Sequence, residues 1–211
     1  MADTESLIKA NGLRFGPLGQ GWMHVCVDMQ RIFAEATPWH APWLARVLPR
    51  ALQLVEVEPA RTVFTRFIPP GDAEDLPGTW QRYYRRWPEM TLSRLDAGSV
   101  DLVPALARHA PPAEIVDKHV YSPWAEQGLP SLLQRKSVDT LVVSGTETEV
   151  CVLATVLGAI DRGLRVIVAT DAICSSADPT HDAMLEIYHS RFGMQVETAT
   201  VTEILDQIRL P

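Results

Sequence analysis

A chain of 211 residues with 46% hydrophobic and 21% charged residues can bury the core of one domain and has an ordinary globular balance. Its formal net charge of −7, with no basic run, excludes the electrostatic footprint of a nucleic-acid partner, and no apolar stretch approaches the ~18 residues of a membrane span. Cys26, Cys151 and Cys174 form no CxxC and no disulfide framework. With no signal-peptide pattern at the N-terminus, they suit a reducing cytoplasm.

Residues 1–21 are polar and glycine-rich and read as a lead-in to a single domain spanning 1–211. "WMHVCVDM" (22–29) predicts a buried strand ending in an acid, and "PWLARVLPRALQLVEVE" (42–58) a helix made irregular by Pro49. "RTVFTRFI" (61–68) predicts a second strand, stopped by Pro69-Pro70-Gly71. From 69 to 112 the chain reads as irregular, rich in proline and aromatics, long enough for a lid or binding loop. Its acidic stretch "GDAEDLPG" reads as solvated loop. "AEIVDKHVYS" (113–122) predicts the third strand, followed by a short helix. Then strand "TLVVSG", helix "TEVCVLATVLGAIDRG", strand "RVIVATDA", helix "PTHDAMLEIYHSRF", strand "QVETATV" and a closing helix alternate to the end. This alternation, with strands apolar on both faces, predicts an α/β domain with a mainly parallel sheet between helices.

In such sheets ligands bind beyond the carboxyl ends of the strands. Three reactive side chains leave that edge: Asp28 after the first strand, Lys118 after the third, and Cys151 in the turn after the fourth. Lysine is scarce, with only Lys9, Lys118 and Lys136 beside sixteen arginines. A helix N-terminus and an ammonium both favour a thiolate, an acid can carry its proton, and turn N–H groups can face an oxyanion. Each residue also has an ordinary reading: the cysteine as a small core residue, the acid as a loop cap, the lysine as a solvated edge charge. Glu147 and Glu149 are expected to face outward, with Thr146 and Glu149 forming a capping box.

"CVDMQRIF" (26–33), "DKHVYSPW" (117–124) and "SGTETEVCVLATVLGAIDRGLRVIVATDAICSS" (144–176) resemble the isochorismatase-like cysteine hydrolases, in order, from about residue 22 to 208. The resemblance implies a three-layer α/β/α, Rossmann-like fold with a six-stranded, mainly parallel sheet, and often a homo-oligomer, dimer or tetramer. It implies Asp28 as general acid/base, Cys151 as nucleophile and Lys118 as the supporting ammonium. It also implies a cis peptide between Thr146 and Glu147, with the N–H groups of Glu147 and Cys151 forming the oxyanion hole.

Two departures narrow the expectation. Nicotinamidases of this family carry metal ligands in a pattern like "TRDWHP"; here "TRFIPP" puts Phe67 and Pro69 at those positions, so no metal and no cofactor are expected. Isochorismatases proper cleave a vinyl ether and typically have glycine where this chain has Cys151. The cysteine therefore points to the amidohydrolase branch, with carbamoylsarcosine and ureidoacrylate hydrolases. The expected reaction is hydrolysis of a C–N amide or ureide bond of a small molecule through an acyl-enzyme on Cys151. The alternatives are an ether hydrolase with Cys151 as bystander, and a catalytically silent protein that binds a small molecule or a partner. No GxGxxG or GxxxxGK follows a strand, which leaves nucleotide binding without a motif.

The six histidines lack ligand spacing and are expected at caps or on the surface, with His119 pointing away from Lys118. Phe33 matches a family aromatic that lines the pocket. Trp80, Tyr84 and Trp87 are candidates for a wall or lid, or equally for core-edge packing. Arg66, at the end of the second strand, is a candidate for a substrate carboxylate or for a structural ion pair.

Overall fold

Six apolar runs, dense in β-branched residues, form the strands of one sheet in the computed structural model, which describes residues 13–208. Residues 1–12 of the lead-in, and 209–211, lie outside the described residues. The strands are β1 (Trp22–Val27), β2 (Thr62–Phe67), β3 (Glu114–Lys118), β4 (Thr140–Thr146), β5 (Arg165–Cys174) and β6 (Val196–Ala199). Their order is β3-β2-β1-β4-β5-β6, with every neighbouring pair parallel. The chain runs outward from β1 through β2 to β3, then returns beside β1 as β4 and continues to β6. The direction of winding therefore reverses between β1 and β4, the place where a sheet of this kind opens a crevice.

The helices, in chain order, are α1 (Arg31–Ala34), α2 (Leu44–Val57), α3 (Gly78–Arg86), α4 (Pro104–Ala107), α5 (Gly128–Arg135), α6 (Leu153–Ile160), α7 (Asp178–Ser190) and α8 (Val201–Leu205). Side chains alternate along the strands and so divide the core between two faces. Val25, Val143 and Val168 pack against Leu132 of α5, Val156 of α6 and Met184 of α7. On the other face, Cys26 and Phe64 meet Val47 and Ala51 of α2, while Val142 and Ile167 meet Leu54 and Ile204. Helices thus cover both faces, which makes the fold three-layered.

Several boundaries differ from the sequence expectation. α2 runs through Pro49; the lost backbone bond is tolerated because Leu44, Val47, Ala51, Leu54 and Val55 bury one continuous face. The stretch 69–112 is not irregular throughout, since it contains α3. Trp80, Tyr83 and Tyr84 stand three and four residues apart on one side of that helix, a helical period masked by Pro77-Gly78 before it and Pro88 after it. β1 ends at Val27, because Asp28 has φ +50 and leaves the ladder. His24 is not at a cap or on the surface; it is fully buried in β1, 2.8 Å from Ser144 Oγ and 3.3 Å from Thr62 Oγ1. Burial holds its pKa down at about 3, so the ring is neutral.

At the switch point β4 carries Gly145 at φ +113, and a Cβ there would overlap the Val27 carbonyl oxygen of β1. A side chain is excluded both by conformation and by space. Gly145→Ala should therefore cost more than the ~1–3 kcal/mol of ordinary overpacking. Thermal denaturation checks this, with loss of the midpoint by several degrees as the expected result.

Candidate active site

Asp28, the first residue beyond β1, is buried, and its left-handed backbone turns the carboxylate across the end of the sheet. Thr65 of β2 fixes it twice. Its Oγ1 donates to Asp28 Oδ1 at 2.6 Å, and the Asp28 N–H donates to the Thr65 carbonyl at 3.2 Å. Lys118, the last residue of β3, comes from two strands away. Phe67 of β2 pairs with it in the ladder, and its ring lies 4.9 Å from Nζ, guiding the chain back toward β1. Nζ then sits 2.8 Å from Asp28 Oδ2, 3.4 Å from Cys151 Sγ and 3.2 Å from the Val120 carbonyl.

Cys151 follows β4 in a single π turn, Thr148–Val152, that leads into α6. Such turns rotate side chains off the regular helical path. The peptide between Thr146 and Glu147 is cis. The Glu147 carbonyl accepts from Val150 and Val152 N–H, and Thr155 Oγ1 donates to the Cys151 carbonyl at 2.8 Å, which anchors the turn on both sides of the thiol.

All three groups are almost fully out of water, Cys151 being only 6% exposed. Burial pushes the Cys151 thiol up, and the Asp28 carboxylate adds to this, while Lys118 opposes it. The expected thiolate is therefore not the form at rest; the sulfur keeps its proton until an acceptor takes it. Burial alone would lower Lys118, but Asp28 and Cys151 overcome that and raise it, so it stays an ammonium. Asp28 Oδ2 meets that ammonium as an ion pair but lacks a well-aligned hydrogen bond. It therefore retains acceptor capacity for the neighbouring thiol proton.

The isochorismatase domain pattern matches residues 23–200, most of the chain. The chain belongs to the isochorismatase family. Maleamate amidohydrolase of Pseudomonas putida is 25% identical over 188 residues, covering 86% of this chain and 83% of that protein. The crystal structure of a cysteine hydrolase from Pseudomonas syringae pv. phaseolicola superposes with TM-score 0.77 at 26% identity, over 94% of this chain and 97% of that one. N-carbamoylsarcosine amidase from Thermoplasma acidophilum shares the fold, with TM-score 0.68 at 21% identity over 85% and 96% of the two chains. This isochorismatase-family chain is a hydrolase with amidohydrolases among its relatives.

Beside Asp28, Lys118 and Cys151 of this family member stands an aromatic shell. Phe33 stacks on Trp39 at 6.2 Å, Trp39 lies 6.0 Å from Phe67 and 6.1 Å from Tyr84, and Trp80 lies 6.2 Å from Tyr84 and 4.8 Å from Tyr121. Trp87 lies at the C-terminus of α3, with the Arg86 guanidinium 4.4 Å over its ring. Burial raises the phenols of Tyr83 and Tyr84. Phe33, Trp80 and Tyr84 thus gather in the shell that reaches Lys118 through Phe67.

Arg66 does not join them as a free cation. Its Nε and Nη2 donate to the two Asp117 carboxylate oxygens at 2.7 and 2.9 Å across the β2–β3 pair, and Nη1 reaches Asp101 at 3.4 Å. This is the structural ion pair that the sequence offered as one of two readings. The expected capping box is also absent. Thr146 belongs to β4, its Oγ1 has no partner among the described residues, and Glu149 turns instead to Ser175 and Thr180. Glu147 does not face outward; it is half-buried and accepts from the Ser176 N–H at 3.3 Å, and burial raises its carboxyl. His119 points away from Lys118 to Glu126, 3.1 Å off.

Sequence reasoning missed Thr65, Tyr83, Tyr121 and the inward turn of Glu147. Thr65 carried no local signal: its task comes from the register of β2, which sets it opposite Val27, one position before Asp28. A separate cavity of about 330 Å³ opens beyond β5 beside Trp43, Cys174 and His181. Its lining does not include Asp28, Lys118 or Cys151.

Proposed function

We propose that this hydrolase cleaves the C–N bond of a small amide, carbamoyl or ureide compound through an acyl-enzyme on Cys151. The observation that carries the reading is one buried ammonium touching both Cys151 Sγ and Asp28 Oδ2. A lysine held with no exposure against both Cys151 and Asp28 supports this reading over an ether hydrolase with a bystander thiol or a catalytically silent protein.

In this reading Asp28 takes the thiol proton as sulfur attacks the carbonyl carbon. Lys118 offsets the charge on both partners, and the oxyanion meets the N–H groups of Glu147 and Cys151. The tetrahedral adduct collapses as Asp28 returns the proton to the departing nitrogen, which leaves as ammonia or an amine. Water, deprotonated by Asp28, then opens the thioester, and the sulfur regains its proton. A single domain covering the chain, a cytoplasmic setting and a homo-oligomer belong to the same proposal; sedimentation at working concentration checks the last.

The test is a screen of small amides and ureides for ammonia release, with intact-mass spectrometry of the quenched protein. A substrate acyl mass on the Cys151 peptide is expected, and iodoacetamide should modify Cys151 ahead of Cys26 and Cys174. Lys118 Nζ lies 3.4 Å from Cys151 Sγ, whereas among the described residues neither Cys26 nor Cys174 has a lysine within hydrogen-bond reach. Equal labelling of the three, or turnover that survives full blocking of Cys151, would sink the proposal.

The metal ligands of the nicotinamidase branch do not fit here. Phe67 has no donor atom, its ring is occupied by the Lys118 ammonium, and among the described residues no group of three or more His, Cys, Asp or Glu is arranged around a common ion. Activity should persist after exhaustive EDTA treatment, and nicotinamide should be a poor substrate beside small carbamoyl or aliphatic amides. Loss on chelation with recovery on adding one metal would refute the metal-free assignment.

A further inference from the structure

We infer that Thr65 is a positioning residue of this reaction: its hydroxyl binds Oδ1 of Asp28 and so reserves Oδ2 for the Cys151 proton. This rests on the acyl-enzyme reading and adds to it a residue that acts through Asp28.

A carboxylate offers two oxygens, and which of them takes a proton depends on what else each one meets. Asp28 and Thr65 are both fully buried, so the groups packed around them decide. The Asp28 N–H reaches the Thr65 hydroxyl oxygen at 3.2 Å as well as the Thr65 carbonyl. The hydroxyl proton therefore points elsewhere, and Asp28 Oδ1, at 2.6 Å, is its one acceptor among the described residues. That length suits a hydroxyl donating to a charged carboxylate. Oδ2 has no such donor aligned on it. It meets the Lys118 ammonium at 2.8 Å, and the same ammonium lies 3.4 Å from Cys151 Sγ. The free acceptor oxygen and the sulfur are thus neighbours of one group.

Each proton step then has one address. The proton leaves Sγ for Oδ2 as sulfur bonds to the carbonyl carbon. It passes from Oδ2 to the departing nitrogen as the C–N bond breaks, while the Thr65 proton stays on its own oxygen. Without that hydroxyl the two carboxylate oxygens become alike, and the carboxyl gains freedom about its last torsion. A proton taken on Oδ1 lies against β2 and not beside Lys118, where the next step needs it. A buried threonine can also bond locally only to satisfy itself. The two roles differ in what the hydroxyl does for turnover.

Thr65→Val removes the hydroxyl at nearly constant volume with a residue suited to a strand, and Thr65→Ser returns it. On protein shown to be folded by circular dichroism, Thr65→Val should lower kcat about 30-fold or more, with KM within about twofold. Thr65→Ser should stay within about threefold of wild type. Alkylation of Cys151 by iodoacetamide, followed by peptide mass spectrometry, reads the same proton transfer without a substrate. It should slow about fivefold or more in Thr65→Val and recover in Thr65→Ser. If no amide is hydrolysed yet alkylation follows the hydroxyl in this way, the acyl-enzyme reading falls and the hold of Thr65 on Asp28 stands. If Thr65→Val does not fold, Thr65→Ala takes its place. Failure of both to fold assigns Thr65 to the fold alone and overturns the inference. Unchanged kcat and alkylation, a loss carried by KM alone, or a loss that Thr65→Ser does not restore overturns it as well.

Discussion

Cys151→Ala should reduce hydrolysis of any accepted amide by about 10⁵-fold or more, because removing the nucleophile of a cooperative triad forfeits nearly all that its members do together. The change should barely touch the fold. Cys151 belongs to the core cluster with Val152 and Val156, and deleting one buried sulfur there costs about 1 kcal/mol. Cys151→Ser is the sharper test. It keeps a nucleophilic atom and the reach to Lys118, yet a hydroxyl holds its proton far more tightly than a thiol, so Asp28 has to remove it against a steeper gradient. Both variants should unfold within a few degrees of the wild type. Ammonia release measured against these two as blanks decides the matter, since an alanine variant with wild-type turnover leaves no role for the acyl-enzyme.

Which parts of this arrangement were legible before the fold follows from how each residue is buried. β1, β4 and β5 carry apolar residues on both faces, so they stand out as unbroken runs, and the residues at their ends are marked by the point where the run stops. Asp28 is such an ending and Cys151 follows one by a single turn, whereas Lys118 closes the half-exposed edge strand β3 and stands out by the scarcity of lysine. α3 was hidden because its turns are written in aromatics and arginines between prolines, a composition that reads as loop until Trp80, Tyr83 and Tyr84 are seen to share a face. Thr65 looks like any β-former; only the register of β2 against β1 gives its hydroxyl a task. Arg66 and Asp117 are likewise matched by register, 51 residues apart in the chain, which no local pattern reveals. The proton on Cys151 depends on depth of burial, a property of the packed molecule. A favourable neighbour such as Lys118 is visible in the sequence, while the larger opposing effect is not.

Removal of Lys118 should strike stability and activity together. The pair with Asp28 is fully buried on both sides, and taking away one partner of such a pair leaves a charge without counter-charge, at a cost of about 3–5 kcal/mol. Lys118→Met keeps most of the stem that packs along Phe67, so the loss should come from the charge and not from a cavity. For a chain of this size that corresponds to a fall in Tm on the order of 10 °C. Because the Lys118 pKa is raised above its ordinary 10.5 in the folded chain, its contribution is fully present below that value and lost only as pH rises through the higher folded one. The deficit of the variant should therefore already be present at pH 6 and persist to pH 9, instead of emerging on alkalinisation. Turnover should fall by about 10²–10⁴-fold in the protein that remains folded, since the developing thiolate loses the ammonium that offsets its charge. Thermal melts at several pH values, paired with kcat on protein shown to be folded by circular dichroism, separate the two effects. A Lys118→Met protein as stable as wild type would mean that Asp28 is not held as a buried carboxylate, and the proton route from Cys151 would have to be drawn without it.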